Sequence, residues 1–267
     1  MAQKMESNDL ASFLFEIASG ERRAILASVT AKPLKHAAIA RLHSMTGSET
    51  TRHLNRLTSV GLVVKNPRGE HELTTLGRAV CAGLPLFDFL HAHHQYVLDH
   101  NILVLEPPFV ERLGELTNGI FIEGTYQVIA VQEEALRDVR HRAWVLTQQR
   151  FEQALPVLRE KAGQGADVRV IRPAPAIQEE IRSATRVRRN FPVRLLERVD
   201  FFLAVLDGQA GICFPTLDGR VDMAEMILLR DPRGVRWAED LFAELWSRSR
   251  EWRPALSPDS AKTRDLR

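Results

Sequence analysis

Cysteine is nearly absent: Cys81 and Cys213 are the two in 267 residues, too few and too far apart for a disulfide framework. No apolar run approaches the roughly 20 residues that span a bilayer, so no membrane partner is expected. The opening residues, MAQKMESNDL, lack the charged-then-apolar pattern of a secretory signal. No Walker-type loop is present, and Gly163-Gln164-Gly165 lacks the third glycine and the setting of a dinucleotide fingerprint. Lysine is scarce too, 6 residues against 30 arginines. These absences leave a soluble, cytoplasmic protein without a cofactor as the expectation.

What remains is ordinary globular material, 45% hydrophobic and 26% charged. At roughly 100–200 residues per domain the length favours two domains, taken as 1–100 and 101–267, with the pattern changing after Glu106-Pro107-Pro108. The net charge of +2 is unevenly spread. Within 32–68, Lys32, Lys35, Arg41, Arg52, Arg56, Lys65 and Arg68 face only Glu49, whereas residues 101–267 balance 25 basic against 25 acidic groups. A basic island on a near-neutral protein suggests a polyanion-binding face; a solvated charged surface is the plain alternative.

Apolar periodicity orders the first domain. Leu10, Phe13, Leu14 and Ile17 repeat at i, i+3, i+4, i+7 and predict an amphipathic helix ended by Gly20. Helices follow at about 21–31, with Ile25, Leu26 and Val29 inward, and at about 34–43, with Leu34, Ile39 and Leu42 inward. Thr46-Gly47-Ser48 supplies a turn and cap for a fourth helix, 48–60, stopped by Gly61. Two β-prone runs, 62–64 and 70–73, flank Asn66-Pro67-Arg68-Gly69 and predict a hairpin. A further helical stretch opens at Thr74, is interrupted near Gly83-Leu84-Pro85, and resumes to Asp99.

Beyond Pro107-Pro108 the pattern alternates. Strands are expected at 119–123, 143–147, 168–171, 201–206, 211–214 and 223–229. Helices are expected at about 108–117, 127–140, 149–163, 175–187 and 232–250. Alternation of this kind predicts a layered α/β domain, and Asp207-Gly208 between two strands argues against an all-parallel sheet. The polar tail from 254 is expected to fray.

The fourth helix is two-faced. Leu54, Leu57 and Val60 share one side; Thr51, Arg52, Asn55, Arg56 and Ser59 share the other, with donors suited to base edges and phosphates. Ser48 begins this helix, and Lys65 and Arg68 follow it in the hairpin. Over about residues 9–99, with TTRHLNRLTSVGLV as its most telling phrase, the chain resembles the winged-helix regulators of archaea and bacteria, especially the ArsR-like branch. The resemblance implies a winged helix-turn-helix that binds double-stranded DNA through Ser48, Thr51, Arg52, Asn55, Arg56, Lys65 and Arg68. A winged helix used only for protein contacts is the alternative.

The stretch from Val199 to Trp246 is similar to the C-terminal effector domain of methanogenesis-regulator-type transcription factors. The matching features are Asp207-Gly208, Phe214-Pro215, Asp218-Gly219 before Asp222, and Trp237 before Asp240-Leu241-Phe242 and Trp246. That resemblance implies a mixed-sheet α/β domain, phospholipase-D-like but without the catalytic motif. The His-x-Lys-x4-Asp signature of that enzyme class is indeed missing, since His141 is followed by Arg142 and Ala143. No enzyme activity is expected, a nucleic-acid-processing enzyme being the third reading.

Two clusters remain. Asp88, His91 and His94 fall at i, i+3, i+6 if their helix is continuous, a weak candidate for a zinc-like ion. His93 belongs with Leu86, Phe89 and Leu90 on an apolar side. With Val97, that stripe predicts a dimer helix and hence a homodimer. The arginine-dense stretch from Arg182 to Arg198 suggests recognition of a small anionic effector. Strand ends in open α/β sheets are where ligands bind, so Trp144, Gln148, Arg172, Arg186 and Arg189 are the candidate effector residues. The reading that follows is a homodimeric DNA-binding regulator controlled by an effector in its second domain. Its alternative makes that domain a module for oligomerisation or protein-partner binding alone.

Overall fold

A computed structural model describes residues 10–149, 154–175 and 190–252. The chain divides into two compact units, Met1–Phe87 and Asp88–Arg267. The division falls before residue 100 because Phe89, His93, Tyr96 and His100 belong to the second core: His93 stacks on Phe121 and Tyr96 meets Phe121 and Phe214 edge-on.

In the first unit, helices α1 (Leu10–Ala18) and α2 (Gly20–Ala31) precede a short strand β1 (Leu34–Lys35). Helices α3 (His36–Leu42) and α4 (Gly47–Ser59) follow, then strands β2 (Val63–Lys65) and β3 (Glu70–Leu73) and the helix α5 (Thr75–Ala92), whose residues from Asp88 on belong to the second unit. The strands pair antiparallel in the order β1-β3-β2, with Leu34 opposite His71 and Val63 opposite Leu73. Ile25, Leu26, Ile39, Leu54, Leu57 and Leu62 form the core, each almost wholly removed from water.

Local chemistry explains the boundaries. Thr46 caps α4 reciprocally: its hydroxyl accepts the Glu49 N–H (3.3 Å), while the Glu49 carboxylate accepts the Thr46 N–H (2.8 Å). In the hairpin, the Asn66 side-chain oxygen accepts the N–H groups of Arg68 and Glu70, both at 3.0 Å, and Gly69 takes φ +78°. Gly77 lets α5 approach the Leu62 carbonyl, which a β-carbon would meet at 2.1 Å.

Three expectations are corrected here. Leu34 and Lys35 form a strand rather than a helical turn, and Leu42 is exposed. In α1, Phe13 and Ile17 pack against the core, but Leu10 and Leu14 face water and Glu16 is the buried residue; ion pairing overrides the apolar period there. Finally, α5 runs through Pro85 instead of breaking at it, and the break comes at His93, before α6 (His94–Asp99).

The second unit continues with α7 (Pro107–Glu111), β4 (Ile120–Glu123), α8 (Thr125–Asp138), β5 (Arg142–Leu146), α9 (Ala154–Gly163) and β6 (Asp167–Pro173). Then come β7 (Val193–Leu196), β8 (Phe202–Leu206), β9 (Gln209–Cys213), β10 (Glu225–Leu229), α10 (Pro232–Arg248) and β11 (Arg250–Glu251). Among the described residues the strands form one mixed sheet in the order β11-β7-β6-β5-β8-β9-β10-β4. Only β5-β6 and β6-β7 pair parallel. The β8–β9 hairpin turns at Asp207 and Gly208, and the Asp207 carboxylate accepts the N–H groups of Arg140, His141 and Arg142. Burial acts to raise that carboxyl, but these backbone donors outweigh it and hold it below the usual range.

Helix α10 covers one face of the sheet. Asp231 caps it by accepting from Arg233 and Gly234, and Trp237, Leu241 and Phe242 are buried. The Trp237 indole N–H donates to the Phe109 carbonyl at 3.2 Å. Helices α8 and α9 cover the other face, packing Leu136 and Leu158 with Ala143, Val170, Phe202 and Ala204. The strand β7 was not foreseen, and the expected helix 175–187 and the tail from 254 lie largely or wholly outside the described residues. No helix among the described residues is long and apolar enough to cross a membrane.

Candidate nucleic-acid interface and effector cavity

The polar side of α4 is set by its apolar side. Leu54 and Leu57 are fixed in the core, so the 3.6-residue period leaves Thr51, Arg52, Asn55, Arg56 and Ser59 exposed. Arg52 and Asn55 make no hydrogen bond or ion pair among the described residues. The Ser48 and Thr51 hydroxyls are engaged locally. Ser48 lies 3.1 Å from the Thr46 hydroxyl, and Thr51 bonds both the Gly47 carbonyl and His36 Nε2 at 2.9 Å. Lys65 and Arg68 are exposed on the hairpin that follows.

Arg56 differs from its neighbours. Its guanidinium holds the Glu16 carboxylate through Nε (3.0 and 3.1 Å) and Nη2 (2.6 Å), a bidentate pair. The Phe15 ring lies 5.5 Å below it. Glu16 also pairs with the buried Arg22 at 3.1 Å. The hydrogen bond from Arg56 holds the Glu16 carboxyl below the usual carboxylate range, and the two arginine charges add to this against the cost of burial. Sequence reasoning grouped Arg56 with Arg52 as a free donor; the structure engages it with α1 instead. The one signal for this was Glu16, the lone charged residue of a mostly apolar helix.

In the second unit the candidate effector residues separate. Trp144 lies on the α10 face, stacked on Phe242 with ring centres 5.2 Å apart and flanked by the guanidiniums of Arg142 and Arg169. Its N–H donates to Asp167 at 2.9 Å. A cavity of about 290 Å³ opens on the opposite face, between the sheet and helices α8 and α9. Val145, Val170, Phe202, Ala204 and Leu206 form its floor, with Ile129, Leu136, Leu155 and Leu158 above. Arg172 is buried and lines it, with Thr147 and Gln149, at the carboxyl ends of β5 and β6. Gln148 does not line it; its side chain donates to the Val199 carbonyl. The strand alternation explains why Trp144 is misassigned: Val145 and Trp144 point to opposite faces. Arg182, Arg186 and Arg189 lie outside the described residues.

The histidine cluster disperses. Among the described residues no group of three or more His, Cys, Asp or Glu side chains could hold a metal ion. The helix break at His93 removes the continuous spacing of Asp88, His91 and His94. Phe89 is fully buried and packs on His93, so the proposed dimer stripe is covered within its own unit at that position. His100, which the sequence places in the same histidine cluster, is buried between the Tyr96 carbonyl (3.0 Å) and Asp222 (3.3 Å).

Residues 126–248 match the family model of the methanogenesis regulatory protein FilR1, middle domain. The part of the chain that holds the cavity is therefore similar to a domain of a regulatory protein. No curated protein matches the chain. Among solved structures, TrmBL2, described as an archaeal chromatin protein with a novel mode of DNA binding, is 14% identical over 88% of this chain and 94% of its own, with TM-score 0.39. NucT from Helicobacter pylori is 11% identical over 48% and 92% (TM-score 0.39). The phospholipase D family member Nuc from Salmonella typhimurium is 10% identical over 47% and 91% (TM-score 0.36). At these identities and TM-scores the structural likenesses carry no argument about activity.

Proposed function

We propose that this chain is a DNA-binding transcriptional regulator whose first unit is a winged helix-turn-helix of the ArsR-like kind. In this reading α4 enters the major groove and the β2–β3 hairpin is the wing. The observation that carries it is the exposed, uncommitted pair Arg52 and Asn55 on α4, continued by Lys65 and Arg68 on the hairpin. Side chains of this type make bidentate contacts to purine edges, and the hairpin cations suit phosphates. Ser48 and Thr51 supply further hydroxyls on the same helix. The family match over residues 126–248 supports a regulatory role for the second unit.

The regulator works as a homodimer, which lets two reading heads occupy half-sites a helical turn or a multiple apart. Its second unit binds an effector, which alters DNA affinity only through unequal affinity for the DNA-competent and incompetent states. In this reading that unit has a phospholipase-D-like layout used without catalysis, the His-x-Lys-x4-Asp signature being missing from the sequence.

Selection of duplexes from a random-sequence DNA pool by the full-length chain tests the reading. Enrichment of a two-fold symmetric sequence is the expected outcome. Retention without sequence enrichment, or no retention at low salt, rejects it.

A further inference from the structure

We infer that the cavity between α8, α9 and the sheet binds a small, uncharged and largely apolar molecule, such as a compact aromatic compound. The inference rests on reading the second unit as an effector domain and names the class of its ligand. Close-packed interiors hold few voids larger than a water molecule. A cavity of about 290 Å³ is instead near the lower end of ligand sites, which start at about 300 Å³. Its lining is mostly hydrocarbon, with Gln132, Glu133, Arg137, Thr147, Gln149 and Arg172 as the polar groups, and pockets of this make-up take small, largely apolar molecules.

The walls decide the chemistry. Val145, Val170, Phe202 and Ala204 below and Leu155 and Leu158 above present hydrocarbon to the space. The charged groups of the lining are already engaged: Arg137 pairs with Glu133 at 3.3 Å, and Arg172 donates to the Gln148 carbonyl at 3.4 Å. Burying a further charge between these hydrocarbon walls carries a desolvation cost that a neutral ligand does not meet. The anionic effector expected from the arginine-rich sequence is therefore not what this cavity fits.

N-phenyl-1-naphthylamine, a neutral fluorophore that brightens in apolar surroundings, and its sulfonated relative 1-anilino-8-naphthalenesulfonate test this on the full-length chain. The neutral probe should bind saturably with one site per chain and more tightly than the sulfonate. Ala204→Phe, which fills the cavity, should weaken it by about tenfold or more. Val145→Thr keeps the volume but adds a hydroxyl and should weaken it by about threefold to tenfold; it is the variant to read if Ala204→Phe does not fold. Preference for the sulfonate, no saturable binding, or binding indifferent to both folded variants overturns the inference. DNA affinity is measured in parallel with and without the neutral probe. Cavity binding that leaves DNA affinity unchanged contradicts the effector reading alone, and DNA binding without any cavity binding contradicts this inference alone.

Discussion

The two units handle polar chemistry in opposite ways. The first has a small core and carries its chemistry outside, on the exposed side of α4 and on the hairpin. In the second, both faces of a broad sheet are covered, every residue of β8 is buried, and the space suited to a ligand lies inside. An outward site is read by a large, rigid partner such as a duplex, and an inward one admits only a small molecule. The difference teaches where loss of a functional side chain should act: on duplex recognition in the first unit, on ligand binding inside the second.

The sharpest way to break this contrast is to damage each core. Trp237→Ala removes a fully buried indole and its bond to Phe109, and should cost about 3–5 kcal/mol of stability. Denaturant unfolding of the full chain, followed by fluorescence and circular dichroism, measures it. Leu57→Ala empties the first core and should cost about 2–5 kcal/mol by the same assay. A loss near zero for either residue would mean that its unit is not packed as described.

Smaller effects sharpen the contrast on the first unit's surface. Thr46→Ala removes the α4 cap and should cost about 1 kcal/mol. Neutralising Lys65 and Arg68 together should leave stability unchanged and flatten the log–log salt dependence of DNA binding by about two in slope per protomer, about four for the dimer. The Glu16 carboxyl is held low, so its ion pairs stabilise the fold fully above its ordinary pKa of 4.5 and are lost as pH falls through the lowered folded value. Stability should therefore drop with acidification below about pH 4.5, and Glu16→Gln should remove part of that drop, seen as a shallower pH profile of thermal unfolding.

The same contrast explains what was legible in the sequence. Around α4, one face meets the core and the other meets solvent, so apolar period, cap and turn all appear in order along a short stretch. The strands Phe202–Leu206 and Gln209–Cys213 also announced themselves, as apolar runs around an Asp-Gly turn. Which face each strand residue occupies did not appear, because both faces are covered and the runs lose their alternation. Hence Trp144 was assigned to a ligand crevice on the wrong side of the sheet, while Val145 lines the cavity. Contacts between distant positions were equally hidden. The Glu16–Arg56 pair spans 40 residues and the His100–Asp222 pair 122; the lone acid of α1 is the one local sign of the first, and no local pattern marks the second.

In the proposed function, α4 reads bases through side chains the fold leaves uncommitted. Fluorescence anisotropy of the full chain on its selected duplex and on a scrambled duplex, comparing wild type with Arg52→Ala, tests it most directly. Loss of a good base contact is worth about 1–3 kcal/mol, or roughly 5-fold to 150-fold in affinity. The account predicts that loss on the selected duplex, a much smaller change on the scrambled one, and an unaltered unfolding midpoint. Equal affinities of wild type and variant on the selected duplex, or equal losses on both duplexes, would contradict it.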